Sequence, residues 1–223
     1  MLFGIFNSGY TSTMIPLRKF LDFILPWFAM ALLMNVTRFF MTDIHSYVYM
    51  NWNLFLATIP LIVIIFFHRI KNMYARIGLF FVWLFFLPNA PYMITDLIHL
   101  RDVGPDWMLW FDGMMIFSYA FMGIFITAYV LGLMKNELFT ERGRQNIFLL
   151  IVSFLSSFGI YLGRYIRLNS WDIVLNPIHL ATQIFTILKE EYFNPQFIFT
   201  LIFFTLIMLV SEYSMRTFFS SQK

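Results

Sequence analysis

Residues 113–134 read GMMIFSYAFMGIFITAYVLGLM, bounded by Asp112 and Lys135. These 22 residues contain no Asp, Glu, Lys or Arg. About 20 mostly apolar residues suffice for a helix to cross the hydrocarbon core of a bilayer, so this stretch reads as a transmembrane helix. Working outward, similar runs recur. Between Asp43 and Arg69 lie 25 residues free of these charges, between Arg76 and Asp96 19, between Arg144 and Arg164 19, and between Glu191 and Glu212 20. Only 15 separate Asp22 from Arg38, but both flanking side chains can reach the interface, which extends that span to about Lys19–Phe40.

The composition agrees. Of 223 residues 60% are hydrophobic, 21% aromatic and 12% charged, where soluble domains carry about 25% charge. A soluble enzyme, a disordered chain and a fibrous repeat are excluded. The net charge of +3 is too small a surplus to argue for nucleic acid. With no cysteine, thiolate metal sites and a Cys nucleophile are excluded. Ala29-Met30-Ala31 has small residues at leader-cleavage spacing, but the apolar run continues through Leu32, Leu33 and Met34 and five spans follow, so the first span is read as retained.

The expected fold is therefore all-α: a polytopic membrane bundle of six transmembrane helices. Residues 1–18 form an N-terminal interfacial segment, 19–215 the transmembrane domain and 216–223 a cytoplasmic tail. Loops on one side carry ten Lys and Arg and those on the other five. Positively charged loops stay inside, which places both termini in the cytoplasm and the protein in the cell membrane. Residues 176–191 place Ile178, Ala181, Thr182, Phe185 and Leu188 at helical spacing. They predict a short interfacial helix before the last span.

Unusual chemistry concentrates in two stretches assigned to the outer side. In Leu87-Pro88-Asn89-Ala90-Pro91-Tyr92 the two prolines predict a break in the third helix. Asn89 is expected to cap the restarted helix, on which Tyr92, Asp96 and His99 share one face. The second stretch runs from Gly159 to Asp172. Here Arg164 and Arg167, three apart, are expected on one helix face, and Gly159 and Gly163 permit close helix approach. Arg164 and Arg167 also stand on the outer side against the charge rule, which marks them as held by partners or serving a site. The inner halves of the spans look nearly bare apart from Thr58, Ser153, Ser156 and Ser157.

Two motifs carry a resemblance. Phe86-Leu87-Pro88-Asn89-Ala90-Pro91-Tyr92 with Thr95-Asp96-Leu97 and His99, together with Leu162-Gly163-Arg164-Tyr165 and Asn169-Ser170-Trp171-Asp172, closely resembles a family of small bacterial membrane proteins. It is catalogued as the domain of unknown function 1361 family. The similarity spans about the second to the fifth helix and implies a multi-pass membrane protein without naming a reaction.

Each candidate has a functional and a structural reading. His99 and Asp96 form a candidate acid/base pair, or else a hydrogen-bonded interfacial pair. Asn89, Tyr92, Arg101, Tyr161, Arg164, Arg167, Asn169 and Trp171 form the candidate substrate-binding set, with the arginines suited to a phosphate or carboxylate. Alternatively those arginines pair with Asp96, Asp112 or Asp172. A divalent metal ion could be held by Asp96 and His99 joined by Asp112, Asp172 or His179. Three functions follow: an enzyme acting on a lipid-linked or cell-envelope substrate with an anionic group, a transporter or its membrane subunit, and a non-catalytic assembly partner. The expected partners are membrane lipids and that anionic substrate. Clustering of polar groups at the outer end ranks the enzyme first.

Overall fold

A computed structural model describes residues 16–41, 47–102, 106–167, 176–190 and 194–220. The described residues form seven helices and no strand. They are α1 (Leu17–Met41), α2 (Tyr49–Phe67), α3 (Met73–Phe86), α4 (Asp106–Leu138), α5 (Arg142–Tyr161), α6 (Pro177–Glu190) and α7 (Pro195–Ser220). All but α6 belong to segments long and apolar enough to cross a membrane. The chain is a multi-pass membrane helix bundle.

The helix α4 is the axis of the bundle. In its most apolar stretch 72% of residues are buried inside the protein, against 22% for α1. The other helices turn exposed Phe, Leu, Ile and Val outward, which suits lipid contact. On α4, Tyr129 stacks face to face on Phe20 of α1, with ring centroids 3.9 Å apart. The helices α5 and α7 pack along each other and α7 also packs on α4. Pro26 and Pro60 lie inside α1 and α2 without ending them.

The third span runs over Met73–Leu100 in three helical pieces. Asn72 starts α3 by accepting hydrogen bonds from the Tyr74 and Ala75 amides at 2.9 and 3.2 Å. The α-helix stops at Phe86, restarts as a single turn over Asn89–Tyr92, and narrows into a 3₁₀ helix over Met93–Asp102. The interruption falls where the Pro-Asn-Ala-Pro motif predicts it, but Asn89 does not cap the restart. Its side chain instead donates to the Phe86 carbonyl at 2.9 Å. The reason lies in the missing donors. Pro91 has no N–H for the Leu87 carbonyl, so the Ala90 amide bonds Leu87 at 3.3 Å. That leaves Phe86 without its usual i+4 partner, and Asn89 supplies one.

Two glycines hold this motif against its neighbours. A Cβ at Gly123 of α4 would stand 2.0 Å from the Ala90 carbonyl oxygen, and one at Gly159 of α5 would stand 2.7 Å from Pro88 Cγ. The motif is thus wedged between α4 and α5 at backbone distance.

Residues 1–15 lie outside the described residues, as do Asn169, Trp171 and Asp172. The short helix α6 forms over Pro177–Glu190. It buries Ile187 against Tyr161, Phe197 and Leu201, and leaves Ile178 and Phe185 exposed.

Candidate functional site

The narrowing of the third span to 3₁₀ geometry positions the site. With three residues per turn, Asp96 and His99 stand one above the other. Opposite them, α5 widens into a π-helical turn over Leu162–Ile166, which carries Arg164. Such turns are rare and recur at functional sites. Arg164 Nη1 donates to Asp96 Oδ1 at 3.3 Å, and Nη1 and Nη2 both lie 3.4 Å from His99 Nε2. A guanidinium only donates, so these contacts are hydrogen bonds in the tautomer whose Nε2 accepts. The Arg164 guanidinium also faces the Tyr92 ring, 6.0 Å from its centroid.

Asp96 is fully buried, whereas the Arg164 side chain is 15% exposed. The cluster therefore joins a sealed carboxylate to a partly exposed cation. Two residues of α2 complete it, and the sequence reading passed over both. Asn53 donates to Asp96 Oδ2 at 3.5 Å, and Tyr49 meets the His99 ring edge-on at 5.6 Å. The signal was available: Tyr49, Asn51 and Asn53 are polar residues at the start of an otherwise apolar span.

Arg167 does not share the Arg164 face. The α-helix expected there has already given way to the π turn, and Arg167 ends it in the left-handed region at φ 63°, exposed. Tyr161 is buried among rings, with centroids 4.8 Å from both Phe197 and Tyr165. Arg101 lies in the 3₁₀ helix and His179 in α6, with side chains outside the description.

Asp112, expected as a metal ligand, has both carboxylate oxygens taken by Arg38. Arg38 Nε reaches Oδ1 at 2.7 Å and Nη2 reaches Oδ2 at 3.1 Å, with both side chains buried. Beside this pair, Asn51 bonds Asn35 at 2.9 Å and Tyr119 bonds Asn51 at 2.5 Å. Among the described residues no three His, Asp or Glu side chains gather to hold a metal.

The two Arg–Asp pairs at this end differ in kind. Arg38–Asp112 is bidentate, short and sealed, as ion pairs that fix helices are. Arg164–Asp96 is single, longer than the usual 2.7–3.2 Å for N–H···O, and shared with an imidazole. Of the two arginines, Arg164 is the more exposed, at 15% against 3%.

The far end of the bundle corrects another expectation. Lys135 and Glu212 form a buried ion pair between α4 and α7, so the end expected to be nearly bare is not. Three consecutive residues of α4 fan out there. Lys135 binds Glu212 of α7, Asn136 accepts from Gln145 of α5 at 3.1 Å, and Glu137 accepts from Arg76 of α3 at 3.1 Å.

The family described as "Protein of unknown function (DUF1361)" matches residues 52–210, which include the interrupted third span, the Asp96–Arg164 cluster and most of α7. The chain belongs to the DUF1361 family. No curated protein and no solved structure matches it. The match begins beyond α1, so Arg38 lies outside it while Asp96, His99 and Arg164 lie within it.

Proposed function

We propose that this DUF1361 protein is an enzyme whose working site is Arg164, Asp96 and His99, acting on a lipid-linked or cell-envelope substrate with an anionic group. The observation that carries this reading is the loose, shared pairing of Arg164 beside a sealed bidentate pair at the same end. An incoming phosphate or carboxylate offers the guanidinium a better partner than a single 3.3 Å contact. As Arg164 turns toward it, His99 Nε2 loses its donor and can take a proton from the substrate. Asp96, fixed from the other side by Asn53, keeps the cation aimed.

The Lys and Arg distribution supports an orientation with both termini cytoplasmic and this site on the outer face of the cell membrane. The test is complementation of a strain lacking the gene, read by its lipid and envelope composition, alongside unfolding of the purified protein. His99→Ala and the double variant Arg164→Gln/Asp96→Asn, which leaves no buried charge without its partner, are expected to fail to restore composition while unfolding near the wild-type temperature. Arg38→Ala is expected to unfold early, because removing one partner of a buried pair costs about 3–5 kcal/mol. Restoration by both site variants would sink the proposal.

A transporter is the second reading. The buried Lys135–Glu212 pair favours it, because ionisable residues within membrane spans mark substrate and proton pathways.

A further inference from the structure

The polar residues of α5 and α7 fall in a line. On α5, Ser153, Ser157 and Tyr161 follow at intervals of four, which is one helix face, and Arg164 stands in the π turn that follows. On α7, Thr205 and Glu212 are seven apart and also share a face. The two lines meet where Ser157 Oγ lies 3.0 Å from Thr205 Oγ1. These helices run antiparallel, so levels can be counted from that contact at about 1.5 Å per residue. Toward one end, Ser153 stands about 6 Å and Glu212 about 10.5 Å from it. Toward the other, Tyr161 stands about 6 Å from it, and Arg164 lies beyond Tyr161 in the π turn. Polar groups thus recur at every turn over about 16.5 Å, more than half of a hydrocarbon core about 30 Å thick, and the Arg164 cluster lies beyond Tyr161.

Apart from Arg164, all of this lies inside the protein. Ser153 and Ser157 are 0% exposed, and Ser156 is 1%. The Ser153 and Ser156 hydroxyls are buried with no hydrogen-bond partner among the described residues. A hydroxyl in an apolar interior loses its hydration without return unless something small and polar bonds it. Water has the matching chemistry, because it can both donate to and accept from each hydroxyl. At the ends of the line stand the titratable groups: Lys135 of α4 with Glu212 of α7, and Asp96 with His99 beside Arg164.

We infer that the α5–α7 seam is a proton-transfer path joining the Lys135–Glu212 pair to the Arg164–Asp96–His99 cluster. A proton from water at the Lys135 end adds to the Glu212 carboxylate, which releases its partner ammonium. The proton passes along bridging water and the Ser153, Ser157 and Thr205 hydroxyls, each oxygen taking one proton as it gives up another. It arrives on Asp96 or His99 and leaves to water at that end. No electron changes hands, and one proton crosses for each one taken up. The path stands independently of what binds at Arg164.

The test is proton flux in vesicles. Full-length protein is reconstituted in liposomes enclosing a pH-sensitive dye, and a potassium diffusion potential drives protons inward. Wild-type vesicles are expected to acidify faster than protein-free vesicles. The Ser153→Ala/Ser157→Ala double variant, which removes hydroxyls and no charge, is expected to lose that excess, as is Lys135→Met/Glu212→Gln. Thr58→Ala, an exposed hydroxyl on α2 bonded to its own helix at 2.7 Å, is expected to retain it. Wild-type flux equal to that of protein-free vesicles overturns the inference. So does undiminished flux in the Ser153→Ala/Ser157→Ala variant.

Discussion

Replacing Gly123 by alanine adds one methyl group at the point where α4 touches the Pro-Asn-Ala-Pro motif. That carbon would stand 2.0 Å from the Ala90 carbonyl oxygen, 2.9 Å from Met93 Cε and 3.0 Å from the Ala90 carbonyl carbon. The methionine end can swing away; the backbone carbonyl cannot. Bringing the oxygen contact from 2.0 Å even to 3.0 Å requires α4 and the motif to part by about 1.0 Å. Overpacking a filled interior costs about 1–3 kcal/mol, and a backbone clash belongs near the top of that range. The helix-propensity gain of Gly→Ala returns up to about 1 kcal/mol. A net loss of about 2 kcal/mol corresponds to a fall of about 4–8 °C in unfolding temperature for a chain of this size. Gly78→Ala on α3 is the control, because a Cβ there meets nothing within 4 Å; its unfolding temperature is expected at or above wild type. Thermal unfolding of the two purified variants in the same detergent decides it. If Gly123→Ala melts with or above Gly78→Ala, the close approach is not what holds the motif, and the positioning of Asp96 needs another cause.

Two further expectations concern charge. Lys135→Met alone strands Glu212 in the interior and is expected to lower stability by about 3–5 kcal/mol, while Lys135→Met/Glu212→Gln recovers most of it; thermal unfolding of the single and double variants checks this. Orientation is testable directly because the chain has no cysteine of its own. Trp110→Cys and Tyr74→Cys introduce thiols at positions 80% and 85% exposed near opposite ends of the bundle. An impermeant thiol reagent on intact cells is expected to label the first and not the second, and the reverse pattern would invert the topology.

The spans were legible because a membrane helix is a local property. An uncharged run such as 113–134 declares itself without reference to the rest of the chain. The interruption of the third span was legible for the same reason, since proline acts on its own turn. Partnerships were not. Arg164 meets Asp96 across 68 positions, Arg38 meets Asp112 across 74, and Lys135 meets Glu212 across 77. Counting uncharged residues treats each charge as a span boundary, so Lys135 and Glu212 read as helix ends when they are buried in the bundle. The left-handed turn at Arg167 left no trace either, because nothing in Arg-Tyr-Ile-Arg distinguishes a π turn from an α-helix. Sequence logic did bring Asp96 and His99 to one face, since a spacing of three survives the change from α to 3₁₀ geometry.

The Lys135–Glu212 pair sets an order on how the protein is made. Lys135 leaves the ribosome 77 residues before the carboxylate that neutralises it. At about 5–20 residues per second, that gap lasts about 4–15 s. During that interval the fourth helix carries an ammonium with no counter-charge. Its place three residues from the end of α4 allows the long side chain to reach water while it waits. Arrival of the last helix withdraws that lysine from the interface and fastens the chain's end to its axis. A nascent chain stopped before α7 would keep that lysine without the carboxylate that neutralises it in the finished bundle.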